Sequence, residues 1–482
     1  MQKAVPIIKR AVYITVAVIV LLALNTCSMI FDDDDDNTNN EVTIVDIKKT
    51  GPLNTTTWLE ILLEIDRQNS LVNLDLSECT LSPGNRSDGL VRKEEVFEGT
   101  NRYSRYRVYF DPNPYITLGK NKIVSLILPD IAEKIEAGEG SYYRKGALGT
   151  IEYGKVEFEI DVPAFNHFTR LKSVKGARIK QIGRYAFAGL KSLEQVEFPN
   201  VTHAIGEYEL VTGWTIIVND SPYGDSNPID GWYERDIDYA AFMDCTALKD
   251  VKIENAMIIS IAAFKGCTSL RSINFPSAWL LHQHAFEGCT GLTEVTLPSA
   301  TKIGNFAFAG CTRLTKAAFP KSTAEAALAD LPVPSLPYGE CGNIGDGLGK
   351  DQDKYYKYSI VIFDGAFSGC SSLQTLEIRN AWNVHFGALA FEKVGKTLDI
   401  HLSDSRHSLN NGLSFGEDNL YSGVFRSTTI TLETINLHGL SPENFDIIKN
   451  GVPPGGPGDG LDNIIPRLDP DSPRINLVPI PK

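Results

Sequence analysis

The 482-residue sequence predicts an α/β repeat solenoid. This fold is a right-handed, curved stack of coils of about 22–24 residues, with a parallel β-sheet on one face. Three observations predict it. Ala-Phe pairs recur along the chain, four of them at a constant spacing of 22 residues. Most pairs are followed by a Gly or Cys and then by apolar residues that alternate with polar ones. Since one coil cannot bury its own apolar residues, neighbouring coils must share a core.

The Ala-Phe pair marks the return turn of each repeat. The pairs lie at 186–187, 241–242, 263–264, 285–286, 307–308, 366–367 and 390–391. In most copies a Gly follows, and it permits a compact turn because Gly adopts backbone conformations that other residues resist. A Cys comes three residues after the Phe in five copies, at Cys245, Cys267, Cys289, Cys311 and Cys370. Each Phe is predicted to point inward, where full burial contributes about 1.5–3 kcal/mol.

Each repeat ends in a predicted strand with one buried face. A Leu precedes an apolar pair at a spacing of two, such as Val251/Ile253, and this alternation indicates a β-strand. The residues that flank the inward pair should point outward: Gln195, Glu197, Asp250, Lys252, Ser272, Asn274, Glu294, Thr296, Lys316, Ala318, Thr375 and Glu377. They form a candidate binding surface. A sheet face that only meets solvent is the other interpretation, and the sequence does not choose between them.

The complete motif reads Ile-Gly-x-x-Ala-Phe-x-Gly-Cys-x-x-Leu-x-x-Val-x-Leu-Pro. It resembles the leucine-rich repeats of BspA-like and Treponema-type surface lipoproteins. Strong copies cover about residues 171–320 and 360–402, and weaker copies begin near 71, 123 and 432. The resemblance implies a leucine-rich-repeat solenoid at the cell surface. It also implies an adhesin-like role, with a host or microbial surface protein or glycan as partner, although a fold alone does not fix a function.

The N-terminus has the pattern of an export signal. Basic residues precede the uncharged apolar segment 11–24, which is typical of a secretory signal peptide, here residues 1–26. The sequence Leu24-Asn25-Thr26-Cys27 resembles a lipoprotein cleavage box, in which Cys27 is acylated. We therefore expect an exported lipoprotein that a lipid anchors to a membrane, at the outer membrane or cell surface. The alternative is that residues 11–31 remain as an uncleaved membrane anchor.

Three segments differ in composition from the repeats. Residues 27–40 contain five consecutive Asp and are predicted to form an acidic flexible tether. Residues 41–130 are predicted to form an N-terminal cap and degenerate repeats, with a helix over 55–69 that covers the open end of the core. Residues 451–482 are rich in Pro and Gly and are predicted to form an extended, irregular C-terminal tail.

The solenoid itself is predicted over residues 131–450, with two insertions. These insertions cover 203–238 and 321–361, and the first contains Trp214 and Trp232. Insertions in solenoids form loops, often on the binding face, and aromatic side chains suit recognition. Trp214 and Trp232 are therefore binding candidates, and packing of these rings onto the solenoid as a cover is the equally open alternative.

No motif for catalysis, a cofactor or a metal is evident, and we expect a protein that is not an enzyme. His282 and His284 could together bind a metal ion, but no third ligand is apparent, so no metal site is expected. The repeat cysteines are predicted to be buried free thiols. Their side chains would point the same way from stacked coils, which is poor geometry for a disulfide.

The charge of the chain limits its partners. Its net charge is −14, whereas binding to phosphates needs clustered Lys and Arg, so nucleic acid is not expected as a partner. The function favoured by the sequence is binding of a surface protein or glycan by a monomer. The alternatives are a structural or assembly component of the envelope, and a glycan-active enzyme that uses a pair of carboxylates.

Overall fold

The computed structural model describes residues 43–81, 91–98, 103–144, 156–201, 240–320, 359–379, 383–387, 389–403, 413–415, 434–438 and 474–478. The predicted signal peptide 1–26, the predicted tether 27–40 and Cys27 lie outside these residues, as do Trp214 and Trp232. What the sequence predicts for them therefore stays a prediction.

Two six-stranded parallel sheets contain half of the described strands. The N-terminal sheet has, in spatial order, β1 (Ile44–Pro52), β2 (Leu71–Thr80), β5 (Ile123–Ile127), β9 (Ser173–Lys175), β11 (Gln195–Glu197) and β12 (Asp250–Lys252). The C-terminal sheet has β15 (Glu294–Thr296), β17 (Lys316–Pro320), β19 (Thr375–Arg379), β21 (Thr397–Ser403), β23 (Thr434–His438) and β24 (Arg474–Val478). Neighbouring strands are parallel because each coil returns the chain to the same side before the next strand begins.

Many coils add a second, shorter strand. One four-stranded sheet contains β3 (Val91–Glu98), β4 (Tyr103–Phe110), β6 (Lys134–Ile135) and β10 (Gln181–Ile182), with β3 and β4 antiparallel. A parallel six-stranded sheet contains β13 (Ile258–Ile259), β14 (Leu280–Leu281), β16 (Lys302–Ile303), β18 (Ser359–Ile362), β20 (Asn383–Phe386) and β22 (Leu413–Phe415). Strands β7 (Glu139–Arg144) and β8 (Val156–Val162) form an antiparallel pair.

The centre of the stack is a column of phenylalanine rings. The column contains, in order, Phe165, Phe187, Phe242, Phe264, Phe286, Phe308, Phe367 and Phe391, all of which are buried. The ring centroids of Phe264 and Phe286 lie 5.3 Å apart, and their planes differ by 1°. Residues that occupy the same position in successive repeats are therefore stacked on one another, and the predicted solenoid is confirmed.

The return turns repeat their backbone geometry from coil to coil. Gly288 has a φ of +71°, which a residue with a side chain adopts only at a cost, and Gly266 has +75°. Phe264 N donates to Ala285 O and Gly266 N donates to Glu287 O, both at 2.8 Å, so the backbones of successive turns are joined. Among the described residues the return segments are turns, and the α-helix is confined to the N-terminal end.

The repeat cysteines are buried free thiols, as predicted. Each thiol donates a hydrogen bond to the carbonyl oxygen of the Phe in the preceding coil, as Cys267 does to Phe242 (3.2 Å) and Cys289 does to Phe264 (3.1 Å). Burial raises the pKa of Cys267 and Cys289 well above the ordinary value. The Cys position therefore serves packing, because a thiol is small and apolar yet satisfies one carbonyl.

The first helix, α1 (Thr55–Asp66), packs over the N-terminal end of the core. The Asn54 side chain accepts from Thr57 N at 3.0 Å, and Thr57 Oγ1 accepts from Asn54 N at 2.9 Å, which fixes the start of the helix. Its buried side chains are Trp58, Ile61, Leu62 and Ile65. The predicted apolar face is confirmed, and the helix ends at Asp66 instead of residue 69 because β2 starts at Leu71.

One buried cation lies close to this cap. The side chain of Lys120 is 0% exposed, donates to Asn113 O at 2.6 Å and has its Nζ 5.1 Å from the centroid of the Phe168 ring. Burial lowers the pKa of Lys120 to about 7, although the nearby Asp111 carboxylate acts in the opposite direction. The N-terminal half thus contains a charged group in its interior.

The structure departs from the predicted segmentation in three places. Residues 271–275 form no strand, and the hydrogen bond from Thr293 N to Arg271 O is long, at 3.3 Å, so the ladder is irregular there. Strand β18 begins at Ser359, inside the insertion predicted over 321–361. Strand β24 pairs with β23, which extends the C-terminal sheet into the segment predicted as a tail, because Ile475 and Leu477 repeat the apolar alternation.

Candidate binding surface

The outward face of the two parallel sheets is the candidate site, because every second strand residue points away from the core there. In β15 the side chain of Val295 is 1% exposed, whereas Glu294 and Thr296 are exposed. Pairing in register aligns equivalent outward residues of successive coils, so Glu294 lies beside Lys316 and Thr296 beside Ala318. The face therefore consists of columns of side chains, one from each coil.

Columns of alternating charge lie on and beside the N-terminal sheet, and the first consists of the residues that immediately precede β9, β11 and β12. Glu194 lies between Lys172 (3.4 Å) and Lys249 (3.2 Å) of the neighbouring coils. Hydrogen bonding to Lys249, and then its charge, lowers the pKa of Glu194 below the ordinary value. Because this carboxylate lies between two ammonium groups, its charge is neutralised within the column.

A second column on the N-terminal sheet repeats this arrangement. Glu197 lies between Lys175 (3.1 Å) and Lys252 (3.8 Å). Its hydrogen bond to Lys175 lowers the pKa of Glu197, which burial opposes only in part. Two of the predicted binding residues, Glu197 and Lys252, therefore already have an ionic partner within the sheet.

The C-terminal sheet begins with a similar pairing. Lys316 Nζ lies 2.7 Å from Glu377 Oε1, and Arg379 of the same strand as Glu377 lies 3.4 Å from its other carboxylate oxygen. The hydrogen bond to Lys316 lowers the pKa of Glu377. Beyond β19, however, the outward side chains change from paired ions to carboxylate, amide and imidazole groups.

Asp399 is the centre of this second group. Its Oδ1 accepts from Asn436 Nδ2 at 2.7 Å and from His438 Nε2 at 3.2 Å, both on the next strand of the sheet. Burial alone raises the pKa of Asp399, but the hydrogen bonds from Asn436 and His438 outweigh it, and the pKa lies below the ordinary value. The carboxylate is therefore ionised and held in one orientation.

Two imidazole rings stand beside Asp399. His401 on β21 and His438 on β23 are register partners, and their ring centroids lie 4.2 Å apart with planes 12° apart. Burial, and then the positive charge of a protonated His438, lower the pKa of His401. His401 is therefore neutral at neutral pH, since two stacked cations would repel each other.

A cavity of about 440 Å³ opens next to Asp399. Its side chains come from two successive coils: Ser371, Ser372, Gln374, Lys396, Thr397 and Asp399. The volume falls in the range of about 300–1,000 Å³ that small-molecule sites occupy. Because these side chains are polar, the cavity suits a ligand that makes hydrogen bonds.

The repeats match the family described as BspA type leucine rich repeat region, in 6 copies, over residues 120–212, 235–327 and 356–450. These residues are more than half of the chain. The chain belongs to this BspA-type leucine-rich-repeat family. A comparison with curated proteins finds no match.

A comparison with solved structures finds similar bacterial proteins. A leucine-rich repeat protein from Bacteroides ovatus shares 15% identity, with 72% of this chain and 70% of the other covered and a TM-score of 0.36. A leucine rich cell surface protein from Faecalibacterium prausnitzii shares 16% identity, with 74% and 89% covered and a TM-score of 0.26. The T. pallidum Leucine Rich Repeat protein shares 21% identity, with 36% and 70% covered and a TM-score of 0.20.

The structure places the predicted surface residues of this BspA-type stack as follows. Gln195, Asp250, Lys252, Ser272, Asn274, Glu294 and Thr296 are exposed, and Glu197, Lys316, Thr375 and Glu377 are partly exposed. Ala318 is an exception among the outward positions, since it is only 4% exposed between Thr296 and Glu377 of the neighbouring strands. Ser272 and Asn274 lie in the segment 271–275, which forms no strand, so they belong to neither of the two sheets.

The sequence interpretation missed the group around Asp399. Leu398 and Ile400, and then Ile435 and Leu437, repeat the apolar alternation that located the other strands. The rule that flanking residues point outward, applied to these two strands, would have found the whole group. The signal was weaker there because the Gly-Cys turn that marks the other coils is lacking.

The two histidines considered as metal ligands, His282 and His284, are both buried. His284 is 1% exposed, pairs with Glu287 Oε2 at 2.6 Å and stacks on the Phe306 ring at 5.5 Å. Within the described parts of the chain, no set of three His, Cys, Asp or Glu residues is arranged to hold a metal ion. Over those same parts, no helix has both the length and the apolar character that crossing a bilayer requires.

Proposed function

We propose that this protein is a cell-surface, adhesin-like lipoprotein that binds a host or microbial macromolecule through the outward face of its C-terminal sheet. The observation that carries the proposal is the contrast between the two sheets. On the N-terminal sheet, Glu194 and Glu197 are neutralised by lysines of neighbouring coils. On the C-terminal sheet, the outward groups around Asp399 border a cavity and can meet a partner.

The rigidity of the stack supports this role. Leu398 and Ile400, the inward neighbours of Asp399 and His401, are 0% exposed, so the strand backbone under the site is fixed by the core. Rigid strands hold side chains more accurately than loops do, and less entropy is lost when a partner binds. The outward residues of each strand do not contribute to the core, so their composition can change without disturbing it.

Binding is tested by adhesion of cells that display the full-length protein. Thr375→Arg places a long cation on the C-terminal sheet, and the matched control Gln195→Arg changes the equivalent column position on the N-terminal sheet. We expect Thr375→Arg to weaken adhesion roughly tenfold, the effect of about 1.4 kcal/mol, and Gln195→Arg to leave adhesion unchanged. The opposite pattern would move the binding surface to the N-terminal sheet.

The anchor is tested separately. The proposal places acylation at Cys27, where several acyl chains would hold the protein firmly to a membrane. Cys27→Ala should release the protein from the membrane fraction or leave its precursor uncut. Mass spectrometry of the N-terminus distinguishes the cleaved protein from the uncut precursor. Protease added to intact cells should degrade the protein. Complete protection would favour a structural role inside the envelope over an adhesin-like one.

A further inference from the structure

We propose that the cavity beside Asp399 is a subsite for an uncharged sugar residue of a glycan. This inference rests on the proposed function and names the partner class for its C-terminal sheet. A free carbohydrate and a glycan attached to a cell surface offer the same hydroxyl groups. The subsite would therefore recognise the sugar residue in either form.

The composition of the cavity selects this ligand class. Among the described residues its side chains are three hydroxyls, one amide, one ammonium and one carboxylate, which together are formally neutral. An apolar ligand would shield these polar groups from water and offer them no hydrogen bond in return. A polyanion would meet the Asp399 carboxylate, and a polycation would meet Lys396. A sugar offers many donors and acceptors and no charge, so it can form hydrogen bonds with such a lining.

The orientation of Asp399 strengthens the assignment. Both bonds from Asn436 and His438 are made to Oδ1, and Oδ2 has no hydrogen-bond donor among the described residues. An ionised carboxylate only accepts hydrogen bonds, and each oxygen can accept more than one. The remaining oxygen of a fixed carboxylate at a cavity is suited to accept from the hydroxyl groups of a sugar ring.

A protein surface and a metal ion fit the same place less well. Protein-binding hot spots are rich in Trp, Tyr and Arg, and none of these is among the six side chains that line the cavity in the described part of the chain. The lone pairs of His401 and His438 lie in ring planes that are 12° from parallel and stacked at 4.2 Å. They therefore point side by side and cannot converge on one ion at the distance of about 2.0–2.1 Å that zinc requires.

The chain contains a matched control for Asp399. On β1 and β2, Asp46 Oδ1 accepts from Asn73 Nδ2 at 2.8 Å, which repeats the Asp399–Asn436 pair at the other end of the stack. Asp46 does not line the cavity. Asp399→Asn and Asp46→Asn therefore remove the same negative charge from the same kind of pair, and only the first removes it from the cavity.

The experiment uses full-length protein reconstituted in nanodiscs and titrated onto fixed epithelial or bacterial cells to which the wild-type protein binds. Oxidation of cell-surface glycans with periodate, followed by borohydride reduction, destroys vicinal diols. We expect this treatment to abolish binding, Asp399→Asn to weaken apparent affinity roughly tenfold or more, and Asp46→Asn to leave it unchanged. Cellotetraose, maltotetraose and mannotetraose identify the sugar by competition, and thermal unfolding checks that both variants are folded.

The outcomes separate the two proposals. If no cell type binds the wild-type protein, the proposed function itself fails. If cells bind it equally before and after periodate, or if Asp399→Asn binds like wild type, the sugar subsite is wrong while the binding function stands. Loss of binding in EDTA that added zinc restores would overturn the sugar subsite in favour of a metal-dependent contact.

Discussion

The N-terminal and C-terminal sheets are built on the same core and differ on their outward faces. Phe187 beneath the first and Phe367 beneath the second are both 0% exposed members of one ring column. Above this core, Glu197 is held between two lysines, whereas Asp399 is held by an amide and an imidazole at a cavity. The repeat therefore fixes the inward residues and leaves the outward ones free to diverge.

The two kinds of face contribute differently to the stability of the fold. Exposed ion pairs contribute about 0–1 kcal/mol each, because water and salt screen them. The Lys-Glu columns therefore keep a stacked face soluble without adding much stability. Around Asp399, hydrogen bonds hold polar side chains in place at the edge of the cavity, and side chains that are already in place favour binding of a ligand. Five predictions test this contrast, in order of decreasing effect.

Loss of a phenylalanine ring from the core should have the largest effect on stability, and that effect should be equal in the two halves. Phe187→Ala and Phe367→Ala each remove a ring from the column, and each should lower the free energy of unfolding by about 3–5 kcal/mol. Denaturant unfolding of both variants measures this. Phe→Leu at the same positions fills more of the cavity and should cost less. A loss confined to one variant would contradict a shared core.

Lys120 should make the free energy of unfolding depend on pH, and this buried lysine belongs to the N-terminal half. The pKa of Lys120 is about 7 in the folded protein, and an unfolded lysine has a pKa of about 10.4. Between these values the unfolded state binds more protons, so stability should increase as pH rises through this range. Lys120→Met should flatten the increase measured by unfolding at about pH 7 and pH 9.5. An unchanged slope would show that burial does not lower the pKa of Lys120 in the folded protein.

The turn glycines test the backbone in each half. Gly189 and Gly369 both have a φ of +74°, and no atom lies closer than 3.5 Å to a Cβ built on either. Gly→Ala therefore meets no clash, and the left-handed conformation alone should cost about 1–2 kcal/mol in each variant. Asp244 occupies the same turn position with a φ of +59°, so Asp244→Gly is the reverse test and should cost little. Thermal unfolding measures all three.

The C-terminal sheet should respond to mild acid. The pKa of His401 lies below its ordinary value, and its charged or titratable neighbours are His438, Asp399, Glu377 and Arg379. The unfolded state takes up the proton first as pH falls through about 6.5, so stability should decrease below that pH. His401→Gln should reduce the decrease between about pH 7.5 and pH 5.5. Equal pH slopes for variant and wild type would contradict this.

The smallest effect should come from the Lys-Glu columns. Glu197→Gln removes the carboxylate between Lys175 and Lys252, and should lower the free energy of unfolding by at most about 1 kcal/mol at low salt. The loss should disappear in about 1 M salt, where the Debye length is about 3 Å. A larger loss that persists in salt would mean that these columns stabilise the fold as strongly as the core does.

The core of this protein could be predicted in detail because its physics is local and repeated. Phe264, Gly266, Cys267 and Leu270 each occupy a fixed place in the 22-residue unit, and stacking of identical units has one geometric solution. The prediction weakened where the unit changed. Residues 271–275 keep the sequence pattern without forming a strand, since strand pairing depends on the neighbouring coils as well.

The repeat, the inward faces, the free buried thiols and the helix at the N-terminal end could all be read from the amino-acid sequence. Which outward residues meet depends on how the coils pair. Asp399 is 37 residues from Asn436 along the chain, and only parallel pairing of β21 with β23 brings Asp399 and His401 next to Asn436 and His438. A cavity between coils likewise depends on the register of two separate segments, and register is set by packing of the whole stack rather than by any one repeat.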